Sequence, residues 1–288
     1  MKLLWCVILA VSVLAPAMDC GAWPLKVMSF NVRYDNPGDR DNGNGWEERR
    51  QRVSDAINFY DADIVGTQEV LAHQLEDLKV RLPEYAMTGV GREDGVTKGE
   101  YAALWWKRDK FDVVDSGNFW LSATPEVAGS MGWDGACVRI ATWAVLRDRR
   151  TGREIFALNT HLDHVGQVAR REGVSLILRR VAELAGGRPT VVTGDFNSTP
   201  DSDVVAHVTG VDVPGHLRDS RRESPLVYGP DWTYHEYFTL PVEKRVLIDY
   251  VFLGGPVTVR SYGVLAERNG EECLSDHCPV LVNLDVAD

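Results

Sequence analysis

Residues 190–200 read TVVTGDFNSTP: an apolar, β-branched run that ends in turn-forming residues. A buried strand bounded by a turn has this pattern. Asp195 and Asn197 are two residues apart, so an extended chain projects both to one side. An acid and an amide then share the carboxyl end of a buried strand, where α/β proteins place their sites. The acid can take a proton or hold a metal, and the amide can donate to an anionic oxygen. The same pair can instead cap the strand-to-turn junction by bonding its own backbone. The stretch alone does not separate the two readings; the other polar strand ends of the chain do.

The chain has 288 residues, 44% apolar and 25% charged, with no internal repeat, low-complexity tract or long linker. That composition is globular and can bury a large core. Lys2, the apolar run Leu3 to Leu14 and the small-residue triplet Ala15-Pro16-Ala17 read as an export signal, because the run is too short to span a bilayer well. The signal is expected over residues 1–17, or up to about residue 22, leaving residues 24–287 as one domain in a secreted or periplasmic protein. A membrane anchor competes with this reading, and a lipid on Cys20 fits poorly after Asp19. The net charge of −11 repels polyanions and weighs against tight, non-specific binding of long nucleic acid. It does not exclude a phosphate ester, because a bound metal reverses the local sign. Beyond the signal stand Cys20, Cys137, Cys273 and Cys278. Cys273 and Cys278 are the nearest pair for a disulfide, and the lack of C-x-x-C argues against a cysteine zinc site.

Taken in order, Leu25 to Val32 reads as a buried strand that ends at Asn31, Arg33 and Tyr34. Asp35 to Gly45 is a loop without the spacing of a calcium-binding EF-hand. Helices are expected at Trp46 to Tyr60 and Val70 to Leu82, around a strand from Asp61 to Thr67 that leads into Gln68-Glu69. Glu69 there is either a helix-start acid or a metal ligand. Further strands are expected at Tyr85 to Val90, Tyr101 to Trp106, Phe111 to Trp120, Ala136 to Leu146 and Glu154 to Asn159. Arg139 within a strand needs a partner, in a salt bridge or as a phosphate clamp. Trp133, in the loop from Ser122 to Gly135, reads as loop packing or as a substrate platform. His161 and Asp163, two apart, share a face, with His164 on the other. Val165 to Leu184 and Ser202 to Val208 read as helices, and Gly210 to Lys244 as a long irregular segment. Asp249 interrupts the apolar run Val246 to Leu253, where a carboxylate is costly unless paired. Asp276-His277 then precedes the last strand.

Polar groups thus interrupt or end six buried strands, and six independent bland explanations are improbable because buried polar groups are expensive. The segments SFNVR, GTQEV, NTHLDH, TGDFNSTP, IDYVF and SDHCPV, in that order and spacing from Ser29 to Val280, resemble the endonuclease/exonuclease/phosphatase superfamily, the deoxyribonuclease I-like fold. Trp46 with Arg49, GEYAAL at 99–104 and GWDGACVRIATW at 132–143 are similar to a secreted bacterial subgroup. The resemblance implies an α/β (α+β) four-layer sandwich, two packed mixed β-sheets flanked by helices. It implies hydrolysis of a phosphate ester with Mg2+ or Mn2+. A nuclease-like phosphodiesterase comes first, then a phosphatase or phospholipase-type hydrolase on a sugar, inositol or lipid headgroup phosphate, then a non-catalytic binding protein.

Carried over by position, Glu69 would be the principal metal ligand with Asn31 beside it, and Asp276 would lie near the metal. Asp195 would orient or deprotonate water, and Asn197 and His161 would donate to phosphoryl oxygens. His277, held by Asp249, would stabilise the transition state. Arg139 and Tyr101 are the expected substrate wall. The partner implied is the phosphate ester itself; no stable protein partner is expected, and the chain reads as a monomer.

Overall fold

A computed structural model describes residues 22–269 and 272–287. The expected export signal and Cys20 lie outside the described residues. Among them, seven strands form one mixed sheet and six form a second. The first sheet runs, edge to edge, through Val227–Tyr228, Val257–Val264, Val280–Val286, Trp23–Asn31, Ile64–Val70, Tyr101–Lys107 and Tyr85–Thr88. The second runs through Phe111–Trp120, Ile140–Asp148, Glu154–His161, Thr190–Asp195, Asp249–Gly254 and Arg218–Asp219.

Period-two alternation explains how the sheets stack. Val191, Val251 and Leu253 point inward with Trp23, Leu25, Val27, Ile64 and Val282 of the facing sheet. Their neighbours Val192, Tyr250 and Phe252 point outward, under Val174 and Ile177 of the helix Gln167–Leu184. On the other flank, Met28, Phe30 and Trp105 pack under Val53 and Ile57 of Trp46–Tyr60 and under Leu75 and Leu78 of Ala72–Arg81. The result is helix, sheet, sheet, helix, the four-layer arrangement that binary patterning favours when each sheet has two apolar faces.

Near one end of the sandwich the apolar filling gives way to a buried polar plug. Asn159 donates to the carbonyls of Thr67 and Ala103, both at 2.9 Å, and accepts from Gln68 at 2.6 Å and Thr193 at 3.0 Å. The bonds to Thr67, Ala103 and Gln68 cross from one sheet to the other, and the four together saturate the Asn159 amide. Gly66 makes the close approach feasible: a Cβ there would stand 2.0 Å from Thr193 Oγ1 and 2.5 Å from Asn159 Oδ1.

The structure corrects several expectations. The strand Ile64–Val70 runs past Thr67, and the helix begins only at Ala72. The pairing with Tyr101–Lys107 breaks between Thr67 and Val70, where Glu69 takes a left-handed φ of 63°. Glu69 therefore sits on a β-bulge, a device that re-aims a side chain. Arg139 precedes the strand Ile140–Asp148 rather than lying inside it. Asp249 opens its strand instead of interrupting it, since 246–248 pair only through a bridge from Val246 to Tyr234. Cys278 is a buried free thiol, so the expected pairing with Cys273 is not formed.

Candidate active site

Strand register assembles the centre of the site. Thr190–Asp195 runs parallel to Glu154–His161, placing Asp195 opposite His161. It runs antiparallel to Asp249–Gly254, so that strand starts where the other two end, with Asp249 opposite Asp195. From the facing sheet, Asn31 lies at the end of Trp23–Asn31, paired with Gln68. Asn31 Nδ2 donates to Glu69 Oε1 at 2.9 Å and to Asp195 Oδ2 at 3.0 Å, bracketing two carboxylates from different sheets. His277 Nδ1 is 2.8 Å from Asp249 Oδ2, and its Nε2 is 3.8 Å from Asp195 Oδ2. On the other side of Asp195, His161 Nε2 approaches the same oxygen at 3.5 Å. Asn197, in a left-handed turn at φ 47°, directs its amide to His161 Nε2 at 3.1 Å while its N–H bonds Asp195 Oδ1 at 2.9 Å. Both readings of the 195–197 pair therefore hold: it caps its turn and faces the cleft.

Burial and proximity divide the roles of the titratable groups. Burial, then the Asp249 charge, pushes the Asp195 carboxyl up to about 7, the range of a general base. Burial works against a charged His277, but Asp249 outweighs it and raises the imidazole to about 10. His161 is held well below its ordinary value by burial and by the cations Arg139 and Arg92, so it stays neutral. Burial opposes ionisation of Glu69, yet His277 and the Asn31 amide outweigh it and lower its pKa. Asp276 is raised by burial.

These groups floor a cleft of about 700 Å³. Glu69, His161, Asp195, Asn197, Asp276, His277 and Arg139 line it, whereas Asn31 and Asp249 are fully buried beneath it. Tyr101, expected on the substrate wall, does not line this cleft; its hydroxyl donates to the Val96 carbonyl and braces the loop before its strand. Asp163 does not share the cleft with His161 either. Its two oxygens accept the N–H groups of Ala136, Cys137, Val165 and Gly166, which hold its pKa at about 2 although burial opposes ionisation. That saturation also removes it as a ligand for a metal beside Cys137 and His164. Arg49, buried to 1% exposure, donates to the carbonyls of Val32, Arg33, Asn44 and Leu274 and ties three loops behind the cleft.

Sequence reasoning passed over Arg33, Tyr34, Arg92, Glu100 and Tyr234, which also line the cleft. Arg33 NH1 lies 3.5 Å from Asp276 Oδ2 and 4.0 Å from Glu69 Oε2. Glu100 was signalled by a charged residue abutting the apolar strand Tyr101–Lys107, and Arg33 by its place beside Asn31.

Ligand atoms of Glu69, Asp195 and His277 all lie within 4.8 Å of one another. The buried carboxylates of Asp195 and Asp276 and the partly buried one of Glu69 converge on this spot, a like-charge cluster that a cation would offset. Oxygen donors of this kind fit a hard divalent ion. Asn31 brackets Glu69 and Asp195 through Nδ2, and its Oδ1 accepts the Arg33 N–H at 3.0 Å. No helix among the described residues is long and apolar enough to cross a membrane.

Comparison with known proteins agrees with this architecture. The family model described as endonuclease/exonuclease/phosphatase matches residues 28–277. The structure of an endonuclease/exonuclease/phosphatase from Bacteroides vulgatus is 45% identical, with a TM-score of 0.87 over 92% of this chain and 99% of that one. A mannosyl-6-phosphatase from Bacteroides thetaiotaomicron is 37% identical, with a TM-score of 0.83 over 90% and 99%. Carbon catabolite repressor protein 4 homolog 5 of Arabidopsis thaliana is 25% identical over 62% of this chain, which spans 41% of that relative's length. The chain therefore belongs to the endonuclease/exonuclease/phosphatase family, a family of phosphoester hydrolases.

Proposed function

We propose that the protein is a divalent-metal-assisted hydrolase of phosphoric monoesters of small polar alcohols. The observation that carries this is the convergence of Glu69, Asp195 and His277 on the floor of one cleft. Glu69, with Asp195 and Asp276 beside it, would hold the ion, Mg2+ or Mn2+. Bound there, the ion would supply charge neutralisation to the phosphoryl group. Asp195 accepts the proton of the attacking water. His277, kept cationic by Asp249, and the amide of Asn197 stabilise the developing oxyanion charge. His161 Nε2, which accepts from the Asn197 amide here, would be free to donate to a phosphoryl oxygen once that amide turns to the substrate.

Three features favour a monoester over the diester that the sequence alone placed first. Arg33 beside Glu69 and Asp276, with the cationic His277, suits a dianion. The net charge of −11 disfavours a long polyanion. The mannosyl-6-phosphatase relative, similar along 99% of its length, acts on a monoester. Export and a monomeric state complete the proposal. The test is turnover of an aryl monoester, an aryl diester, a sugar phosphate, DNA and RNA with Mg2+ or Mn2+. Monoester turnover at least tenfold above diester turnover is expected, and the reverse order would return the diesterase reading to first place.

A further inference from the structure

The cleft has two unlike walls, one on each side of Asp195. Beside His277 stands Tyr234, its ring centroid 5.0 Å from the imidazole, followed by Val246 and Ile248. Backbone bridges to Val246 and His277 hold Tyr234 in place, and its hydroxyl bonds no described residue. This wall presents a rigid, largely apolar face. The other wall lies beyond His161. The ring turns Nε2 to Asp195 at 3.5 Å and Nδ1 towards Glu100 at 3.9 Å. Behind it, Arg92 NH1 donates to Glu100 Oε2 at 2.5 Å and Arg139 NH2 lies 3.2 Å from His164 Nδ1. Arg92 Nε and Arg139 NH1 are buried without a hydrogen-bond partner, Arg139 Nε meets only Asp163 Oδ2 at 3.8 Å, and Arg139 is only 5% exposed. Unpaired buried donors are costly and point to a ligand that satisfies them.

The mixture on this second wall decides what kind of ligand. A second anion would suit the arginines but meet the Glu100 carboxylate. Hydroxyl groups both accept and donate, so they satisfy the arginine donors and Glu100 together. A pyranose ring offers both, with hydroxyls along its edge and a C–H face for Tyr234.

We infer that Tyr234 is the specificity-determining residue that stacks the leaving group as a sugar ring, with the ring's hydroxyl edge read by Arg92, Glu100 and Arg139. This rests on the monoester reading and names the alcohol within it. The test compares a hexopyranose 6-phosphate with the corresponding hexitol 6-phosphate, which keeps the hydroxyls but has no ring face. Wild-type protein is assayed beside Tyr234→Leu and Tyr234→Trp. Tyr234→Leu should lower kcat/KM on the pyranose by about tenfold, mainly through KM, since an aromatic face contributes on that order. The hexitol should change by less than about threefold, and Tyr234→Trp should retain the pyranose preference. Equal losses on both substrates would make Tyr234 a support for His277 and overturn the inference while leaving the monoester reading intact. A hexose bisphosphate preferred over the 6-phosphate would assign the arginines to a second anion and also overturn it. Wild-type protein that turns over no monoester would overturn the reading and the inference together.

Discussion

Replacing Asp249 with Asn isolates the electrostatic part of the site. The carboxylate is fully buried, its Oδ2 lies 2.8 Å from His277 Nδ1, and Asn preserves its size. Burial disfavours a charged His277, and Asp249 is the largest attraction that overcomes it to give a pKa of about 10. Without that charge, burial remains, opposed by Asp195 at 3.8 Å. An imidazole returned to its ordinary value of about 6.5 is roughly 3% protonated at pH 8. Turnover at pH 8 should therefore fall about 30-fold, and the alkaline limb of the pH–rate profile should move from near 10 towards 6.5. The assay is metal-supplemented hydrolysis of an aryl phosphate between pH 5 and 10. Stability gives a second reading. A raised histidine pKa contributes stability that is complete below 6.5 and lost as pH rises through about 10, so the gap between wild type and variant should narrow across that window. A variant with its alkaline limb unmoved and its pH 8 rate within threefold of wild type would refute the reasoning.

Other perturbations test the frame around the site. Arg49→Met leaves four carbonyls without their buried donor and should cost about 3 kcal/mol or more in chemical denaturation; a loss under about 1 kcal/mol would count against Arg49 as the tie. Gly66→Ala places a methyl 2.0 Å from Thr193 Oγ1 and should destabilise by about 1–3 kcal/mol, with partial recovery in a Gly66→Ala, Thr193→Ala double variant. No recovery would show that the clash lies elsewhere. Asp163→Asn should lower the melting temperature at neutral pH. Because the folded pKa of Asp163 is depressed to about 2, its contribution is present above the ordinary value of 3.8 and lost as pH falls through about 2, so the two melting curves should converge in acid.

What was legible in the sequence was the cost of burying polar groups. Asn31, Glu69, His161, Asp195, Asn197, Asp276 and His277 each stand out against an apolar run, and the fold brings them to one end of the sandwich. Spacing was a weaker guide. Asp163 stands to His161 as Asn197 stands to Asp195, and both strands end at the first of the pair, yet one turn aims Asn197 into the cleft while the other delivers Asp163 to backbone N–H groups. Period-two reasoning holds only while the chain stays extended. Asp249 looked like an interruption because apolar residues precede it, but Val246 and Ile248 line the cleft ahead of the strand, which begins at the acid. Arg33, Arg92 and Tyr234 come from loops, where no periodicity marks which side chain faces the site.

The most direct test of the central claim is a single activity series. Wild-type protein is assayed on an aryl monoester before chelation, after chelation, and after Mg2+ or Mn2+ is restored, with Glu69→Gln carried through the same steps. The account predicts that wild-type turnover disappears with chelator and returns with metal, while Glu69→Gln, folded by circular dichroism, stays at least about a hundredfold lower throughout. Turnover that survives chelation, or a Glu69→Gln variant that matches wild type, would contradict it.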